Sequence, residues 1–234
     1  MKISILLPYK ENYSPTYPGA VSLFVHSTTK ISKYKNDIKI FGFTDLKKKF
    51  PEKYINIPLK KSILFKSQSK EYVKRFVHLN KDINVDIIEI HNRPNYVDLI
   101  EQLNSKIVLY FHNDPISMIG SKKTMERKKL LSTCSKIIFN SEWSKKRFLK
   151  NLDNFYHKSA KLEVIHQSIN KTKVDINKKD KLITFVGKLN SAKGYDLFGK
   201  AVIKILNEYP KWKSIVSGDE PREKIFFKHK NLKI

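Results

Sequence analysis

A chain of 234 residues, 40% apolar and 12% aromatic, is long enough for one large domain or one and a half ordinary ones, and too rich in rings to be disordered. Its formal charge of +25 comes from 42 Lys and 5 Arg against 22 acidic residues. That lysine bias disfavours nucleic-acid readout, which uses the planar guanidinium fork; with abundant Ile and Asn it fits the codon bias of an AT-rich genome, and a weak attraction to an anionic membrane face is the alternative. A single cysteine, Cys134, excludes an internal disulfide, and no run nears the ~20 apolar residues of a membrane span, so a reducing cytoplasm is the expected compartment.

In chain order, Ile3–Leu7 reads as a strand ended by Pro8. A polar loop carrying Pro15 and Pro18 follows, and Gly19 opens a helix to about Lys33. Ile38–Phe43 is a second strand, and Tyr54–Ile57 a short one within the poorly patterned stretch 44–68. Lys70–Asn80 is a helix, and Val85–Ile90 an apolar strand interrupted by Glu89. Pro94 sits in the first turn of a helix to about Leu103, where its missing N–H costs nothing. Lys106–Phe111 is a strand, Lys122–Ser132 a helix, Ser135–Phe139 a strand, Ser141 or Glu142 to Lys150 a helix, and Leu162–His166 a strand.

Residues 171–181 are polar and charged and read as a linker between a first domain, 1–170, and a second, 182–234. The alternation then restarts. Leu182–Val186 is a strand, Gly194–Tyr209 a helix stopped by Pro210, Trp212–Val216 a strand, Pro221–Lys230 a short helix, and Leu232–Ile234 part of a strand. Short strands apolar on both faces, alternating with helices, specify an α/β fold with a doubly wound parallel sheet, here followed by a second and incomplete α/β unit.

Ligands in such sheets sit outside the carboxyl ends of the strands. Four strand ends of the first domain carry polar clusters: His91-Asn92-Arg93-Pro94, His112-Asn113-Asp114-Pro115, Asn140-Ser141-Glu142 and His166-Gln167-Ser168. Helix capping explains Asn140 and Ser141 equally well; three histidines at strand ends fit it less well. Gly19 ahead of a helix would let backbone N–H groups approach a phosphate or sugar. No G-x-G-x-x-G, no P-loop and no metal-spaced His, Cys or D-x-D pattern is present, so neither a resident cofactor nor a metal is expected. In Phe185-Val186-Gly187-Lys188-Leu189-Asn190-Ser191-Ala192-Lys193-Gly194, two lysines stand five apart on a glycine-flanked loop entering a helix, which suits a diphosphate. In a chain so rich in Lys they also fit ordinary surface residues.

That segment resembles the F-x-G-R-L-x-x-x-K-G signature of the family 4 retaining glycosyltransferases, which have the GT-B fold of two Rossmann-like domains. Asp86–Pro94, Val108–Pro115, Ile137–Trp143, Val164–Asn170 and Ser217–Pro221 are similar to further pieces of that family, in the same order. The resemblance implies metal-independent sugar transfer from a nucleotide-sugar donor, bound as substrate, to a glycan or lipid-linked acceptor in polysaccharide or glycoconjugate assembly. It puts the donor phosphates on Lys188, Lys193 and Gly187, with Lys188 in place of the usual arginine. It sets the catalytic histidine at His112, near the transferred sugar, and Gly19, His91, Asn92, Arg93, Asn113 and Asp114 on the acceptor or sugar side. The family's E-x7-E motif has no counterpart before Ile234, so a largely inactive fragment is expected. The competing readings are a non-enzymatic basic module for an anionic membrane or nucleic acid, and a degenerate transferase.

Overall fold

The computed structural model describes residues 1–59, 67–168, 173–175, 177–220 and 223–234. The chain divides into two compact units, Met1–Ile169 and Asn170–Ile234.

The first unit holds seven strands: β1 (Ile3–Leu6), β2 (Ile38–Gly42), β3 (Tyr54–Asn56), β4 (Ile87–His91), β5 (Lys106–Phe111), β6 (Lys136–Phe139) and β7 (Leu162–Val164). They form one sheet in the order β3-β2-β1-β4-β5-β6-β7, and every pairing is parallel. Helices α1 (Ala20–Ile31), α2 (Gln68–Asn80), α3 (Val97–Ile100), α4 (Thr124–Thr133), α5 (Glu142–Leu149) and α6 (Asn154–His157) accompany it.

Parallel strands need cover on both faces, and the core divides accordingly. The larger cluster packs Leu6, Phe41, Ile88, Ile90, Leu109, Phe111, Ile137 and Phe139 against Tyr72, Phe76, Val97, Leu130 and Phe148. The smaller sets Ile5, Leu7, Ile38 and Ile40 against Val21 and Val25 of α1 and against Tyr13. Alternation along each strand sends successive side chains to opposite layers: Ile5 and Leu7 to one, Leu6 to the other. Polar groups inside this core are matched. Ser4 Oγ donates to Asn80 Oδ1, and Tyr72 Oη donates to the carbonyl of Leu7, pinning the end of β1. Burial pushes the Cys134 thiol up to about 12, so it packs as an apolar group.

The second unit contains β8 (Leu182–Val186), α7 (Tyr195–Glu208), β9 (Lys213–Ser217) and β10 (Leu232–Lys233), in a parallel sheet ordered β10-β9-β8. Tyr195, Val202 and Leu206 of α7 are buried, while Val186 and Ile215 on the strands are exposed.

Three expectations change. The segment 94–103 is not one helix but α3 between 3-10 turns at Pro94–Tyr96 and Glu101–Leu103. Helix α6 carried too short a pattern to be anticipated. The expected helix at 221–230 is absent among its described residues, 223–230. Tertiary contacts engage that stretch instead: the Glu223 carboxylate accepts from Ser191 N and Oγ, the Phe227 ring lies edge-on to Tyr195, and His229 lies 3.2 Å from Asn207 Oδ1.

Candidate functional site

The strand order reverses between β1 and β4, since chain succession runs outward to β3 on one side and to β7 on the other. A cavity of about 630 Å³ opens at the carboxyl edge beside that switch point. It is lined by Pro8 after β1, Asn92 and Arg93 after β4, His112 and Asn113 after β5, Ile165–Ser168 after β7, and one side of α1 including Phe24. Loops leaving parallel strands share one edge, so residues 157 positions apart in sequence converge there.

His112 is the most constrained side chain of this pocket. Its ring stacks on Tyr110 at 4.4 Å and on His91 at 5.1 Å, with Phe24 edge-on at 5.0 Å. Its backbone N donates to Asn92 Oδ1 at 2.8 Å, and Asn140 Nδ2 donates to its carbonyl at 2.8 Å. His112 Nε2 lies 2.8 Å from Nδ1 of the fully buried His91, and the Gln167 side-chain amide nitrogen contacts His112 Nδ1. Burial first, and the neighbouring His91 second, hold the His112 pKa down to about 3, so the ring is neutral at physiological pH. Behind this pair, Glu89 Oε1 is 2.7 Å from His91 Nε2, a close contact that lacks hydrogen-bond alignment.

The backbone that carries this arrangement is unusual at one point. Asn92 sits in the left-handed region with φ 52°, which Asn tolerates better than most residues. That turn aims its side chain back at His112 N, and its own N donates to the Tyr110 carbonyl.

The structure therefore brings together His112, His91, Asn92, Arg93 and Asn113 of the anticipated residues. Two others behave differently. Asp114 does not line the cavity: Arg147 Nη2 and Nε clasp its carboxylate at 2.7–3.2 Å and hold its pKa below the usual carboxylate range, and its Oδ1 caps the turn at Ile116. Gly19 does adjoin α1, but the Glu11 carboxylate already occupies the space, accepting from Ser22 N at 3.0 Å and filling the place a Cβ at Gly19 would take. Gly19 makes room for that carboxylate. Glu89, Tyr110 and Phe24 were not singled out as site residues, and Gln167 only as a member of a strand-end cluster. The signal for Glu89 and Tyr110 was the period of two: Glu89-x-His91 and Tyr110-x-His112 each place two polar or aromatic residues on one face of adjacent strands.

In the second unit, Gly187, Lys188 and Lys193 flank the turn between β8 and α7. Lys188 and Lys193 are exposed, and among the described residues neither forms an ion pair. Asn190 shapes the turn: its Oδ1 accepts from Lys193 N, and its carbonyl accepts from Tyr195 N. Gly194 adopts φ 74° to start the helix. The carbonyl of Gly187 packs so closely on Gly218 that a Cβ there would lie 1.7 Å from it. The strand ends that carry the two lysines are thus fixed by backbone contact. Among the described residues no group of three or more His, Cys, Asp or Glu side chains is placed to hold a metal, and no helix is long and apolar enough to cross a membrane.

Residues 166–234 match the family described as glycosyl transferases group 1. A relative in Bacillus subtilis, named "Putative glycosyltransferase YtcC", is 24% identical over 93% of this chain and 56% of its own length. Among solved structures, Anabaena Alr3699/HepE in complex with UDP and glucose superposes with a TM-score of 0.64 at 16% identity, over 95% of this chain and 62% of that one. A glycosyltransferase from Rickettsia africae gives 0.63 at 17%, over 95% and 62%. These likenesses establish the GT-B fold, and the chain spans little more than half the length of the curated relative.

Proposed function

We propose that this chain, whose residues 166–234 match the family described as glycosyl transferases group 1, takes part in moving a sugar from a nucleotide-activated donor to a glycan or lipid-linked acceptor, with retention of anomeric configuration and without a metal. The observation that carries the reading is the succession of two elements: a pocket at the switch point of one parallel sheet, followed by a stretch matching that family with two exposed lysines on the turn between β8 and α7. The UDP and glucose bound by Anabaena HepE support a uridine diphosphate sugar as donor.

As the bond from the sugar to the diphosphate breaks, negative charge grows on the leaving phosphate. Lys188 and Lys193 place two ammonium groups where that charge develops, a contribution larger in the transition state than in the bound substrate. Lys188 supplies charge but no bidentate fork. The first unit supplies the polar wall for the transferred sugar and acceptor: Asn92, Arg93, Asn113 and the neutral His112, which orients by hydrogen bonding and carries no charge to oppose that of an oxocarbenium-like centre. The +25 charge adds a weak, salt-sensitive attraction to an anionic membrane face, where lipid-linked acceptors are found.

The test is calorimetric titration of UDP and UDP-glucose into the protein and its Lys188→Ala and Lys193→Ala variants. Loss of one charge-assisted contact is worth ~1.5–3 kcal/mol, or about ten- to hundredfold in Kd. Absence of nucleoside diphosphate binding, or binding indifferent to both substitutions, would refute the reading. Transfer that stops in chelator would refute its metal-independent part, and an inverted anomeric centre in the product would refute retention.

A further inference from the structure

We infer that Glu89 is a positioning residue: through His91 it fixes the tautomer of His112, leaving His112 Nδ1 unprotonated on the side where Gln167 caps it. The argument runs along one face of two strands. Glu89 and His91 alternate on β4, Tyr110 and His112 lie on the same face of and beyond β5, and His91 is paired in register with Tyr110. Phe24 of α1 closes the layer over the rings. Each protonation state in this row follows from its neighbour. A carboxylate oxygen 2.7 Å from a ring nitrogen repels a lone pair there, so by its charge Glu89 Oε1 favours the hydrogen on His91 Nε2, although the contact lacks hydrogen-bond alignment. With its one hydrogen there, His91 has a lone pair on Nδ1. His112 Nε2, 2.8 Å away, must supply the proton of that contact. His112 Nδ1 is left as an acceptor, and the amide nitrogen of Gln167 is the group that meets it. The row reads in one direction, from the Gln167 amide through two neutral imidazoles to a carboxylate. Burial, the larger cause of the lowered His112 pKa, keeps that ring neutral.

The consequence is a rule for what enters the pocket beside His112. A ligand that displaces Gln167 meets a lone pair, so it must present a donor, such as a sugar hydroxyl or an amide N–H. A phosphate or carboxylate oxygen is repelled there. The rule's relevance to catalysis rests on the sugar-transfer reading; the tautomer does not, because it is a property of the chain without ligand.

Long-range 1H–15N correlation spectra of the histidine-labelled chain measure it directly. The seven histidines are assigned by comparison with His91→Gln and His112→Gln spectra. The expected result is protonated Nε2 and unprotonated Nδ1 on both His91 and His112. Protonated Nδ1 on either ring, or an imidazolium at His91, overturns the inference. Glu89→Gln then tests the source of the order. Its amide accepts or donates with equal ease, so His112 is expected to lose its single tautomer while the far-UV circular dichroism is unchanged. A folded Glu89→Gln chain whose His112 keeps protonated Nε2 overturns the assignment to Glu89. A role in packing alone would shift the melting temperature and leave the tautomer where it was.

Discussion

Asn92 ties backbone strain to the pocket, and its replacement by two small residues separates the two effects. Two interactions end when the side chain is cut. His112 N loses its acceptor, Asn92 Oδ1 at 2.8 Å, in a place where Asn92 is 6% exposed. An unsatisfied buried N–H costs ~1–3 kcal/mol. The backbone at φ 52° is also harder for a residue with a Cβ and no local hydrogen bond, by ~1–2 kcal/mol. Asn92→Ala therefore loses about 2–5 kcal/mol. Asn92→Gly loses the same hydrogen bond but not the backbone term, and adds ~0.4–1 kcal/mol through the freer unfolded chain. The glycine variant is thus expected to be the more stable by about 0.5–1 kcal/mol, the reverse of the usual order for a structured position. Asn92→Asp, which keeps both the acceptor and the tolerance for φ 52°, falls nearest the parent. Native-state hydrogen exchange at the Leu109 and Phe111 amides of β5 reports the stability of the first unit, and exchange at His112 N reports the lost bond. An alanine variant as stable as the glycine variant would refute the strain argument. Unchanged protection at His112 N would refute the bonding argument.

Three further outcomes are expected. Gly19→Ala is an ordinary substitution for the backbone, at φ −76°, but its Cβ would sit 1.8 Å from Glu11 Oε1; it should cost about 1 kcal/mol by releasing that carboxylate from Ser22 N, and should cost almost nothing in a Glu11→Ala background, as measured by urea denaturation of the four chains in a double-mutant cycle. Gly218→Ala meets the Gly187 carbonyl at 1.7 Å, backbone against backbone, so protection of β8 and β9 amides should collapse by more than ~3 kcal/mol while the first unit is untouched. His112, with its pKa lowered from 6.5 to about 3, takes up its proton in the unfolded chain first; stability is full above about pH 6.5 and falls toward pH 3, by at most ~1.4 kcal/mol per pH unit. That slope should be absent between pH 6 and 5 in His112→Gln, and its persistence there would remove His112 as the cause.

The sheet was legible because β-branched strands buried on both faces leave a strong pattern, as in Ile38–Gly42 and Lys106–Phe111. Strand ends follow from that, and with them the clusters at Asn92, His112 and Gln167. What a linear pattern does not contain is the partner of each polar group. Glu89 reads as a break in an apolar strand until His91 is seen beside it, two residues on and on the same face. Asp114 reads as a pocket residue until Arg147, 33 positions away, takes its carboxylate. The stretch after Glu220 has helical composition, and long-range contacts from Glu223, Phe227 and His229 to the turn before α7 and to α7 itself override it.

The place of β1 in the sheet has a bearing on how the chain is made. Of the seven strands of this sheet the one made first is an inner strand, and its two neighbours arrive at different times: Ile3 pairs with Ile38 on one side and with Ile87 on the other. At a synthesis rate of ~5–20 residues per second, the second flank of β1 stays open for several seconds after the first can close. During that interval Ile5 and Leu6 present an unfilled hydrogen-bonding edge to whatever else is nearby. Nascent chains halted before residue 87 are therefore the ones in which chaperone capture should be strongest, and capture should fall once β4 has emerged and docked.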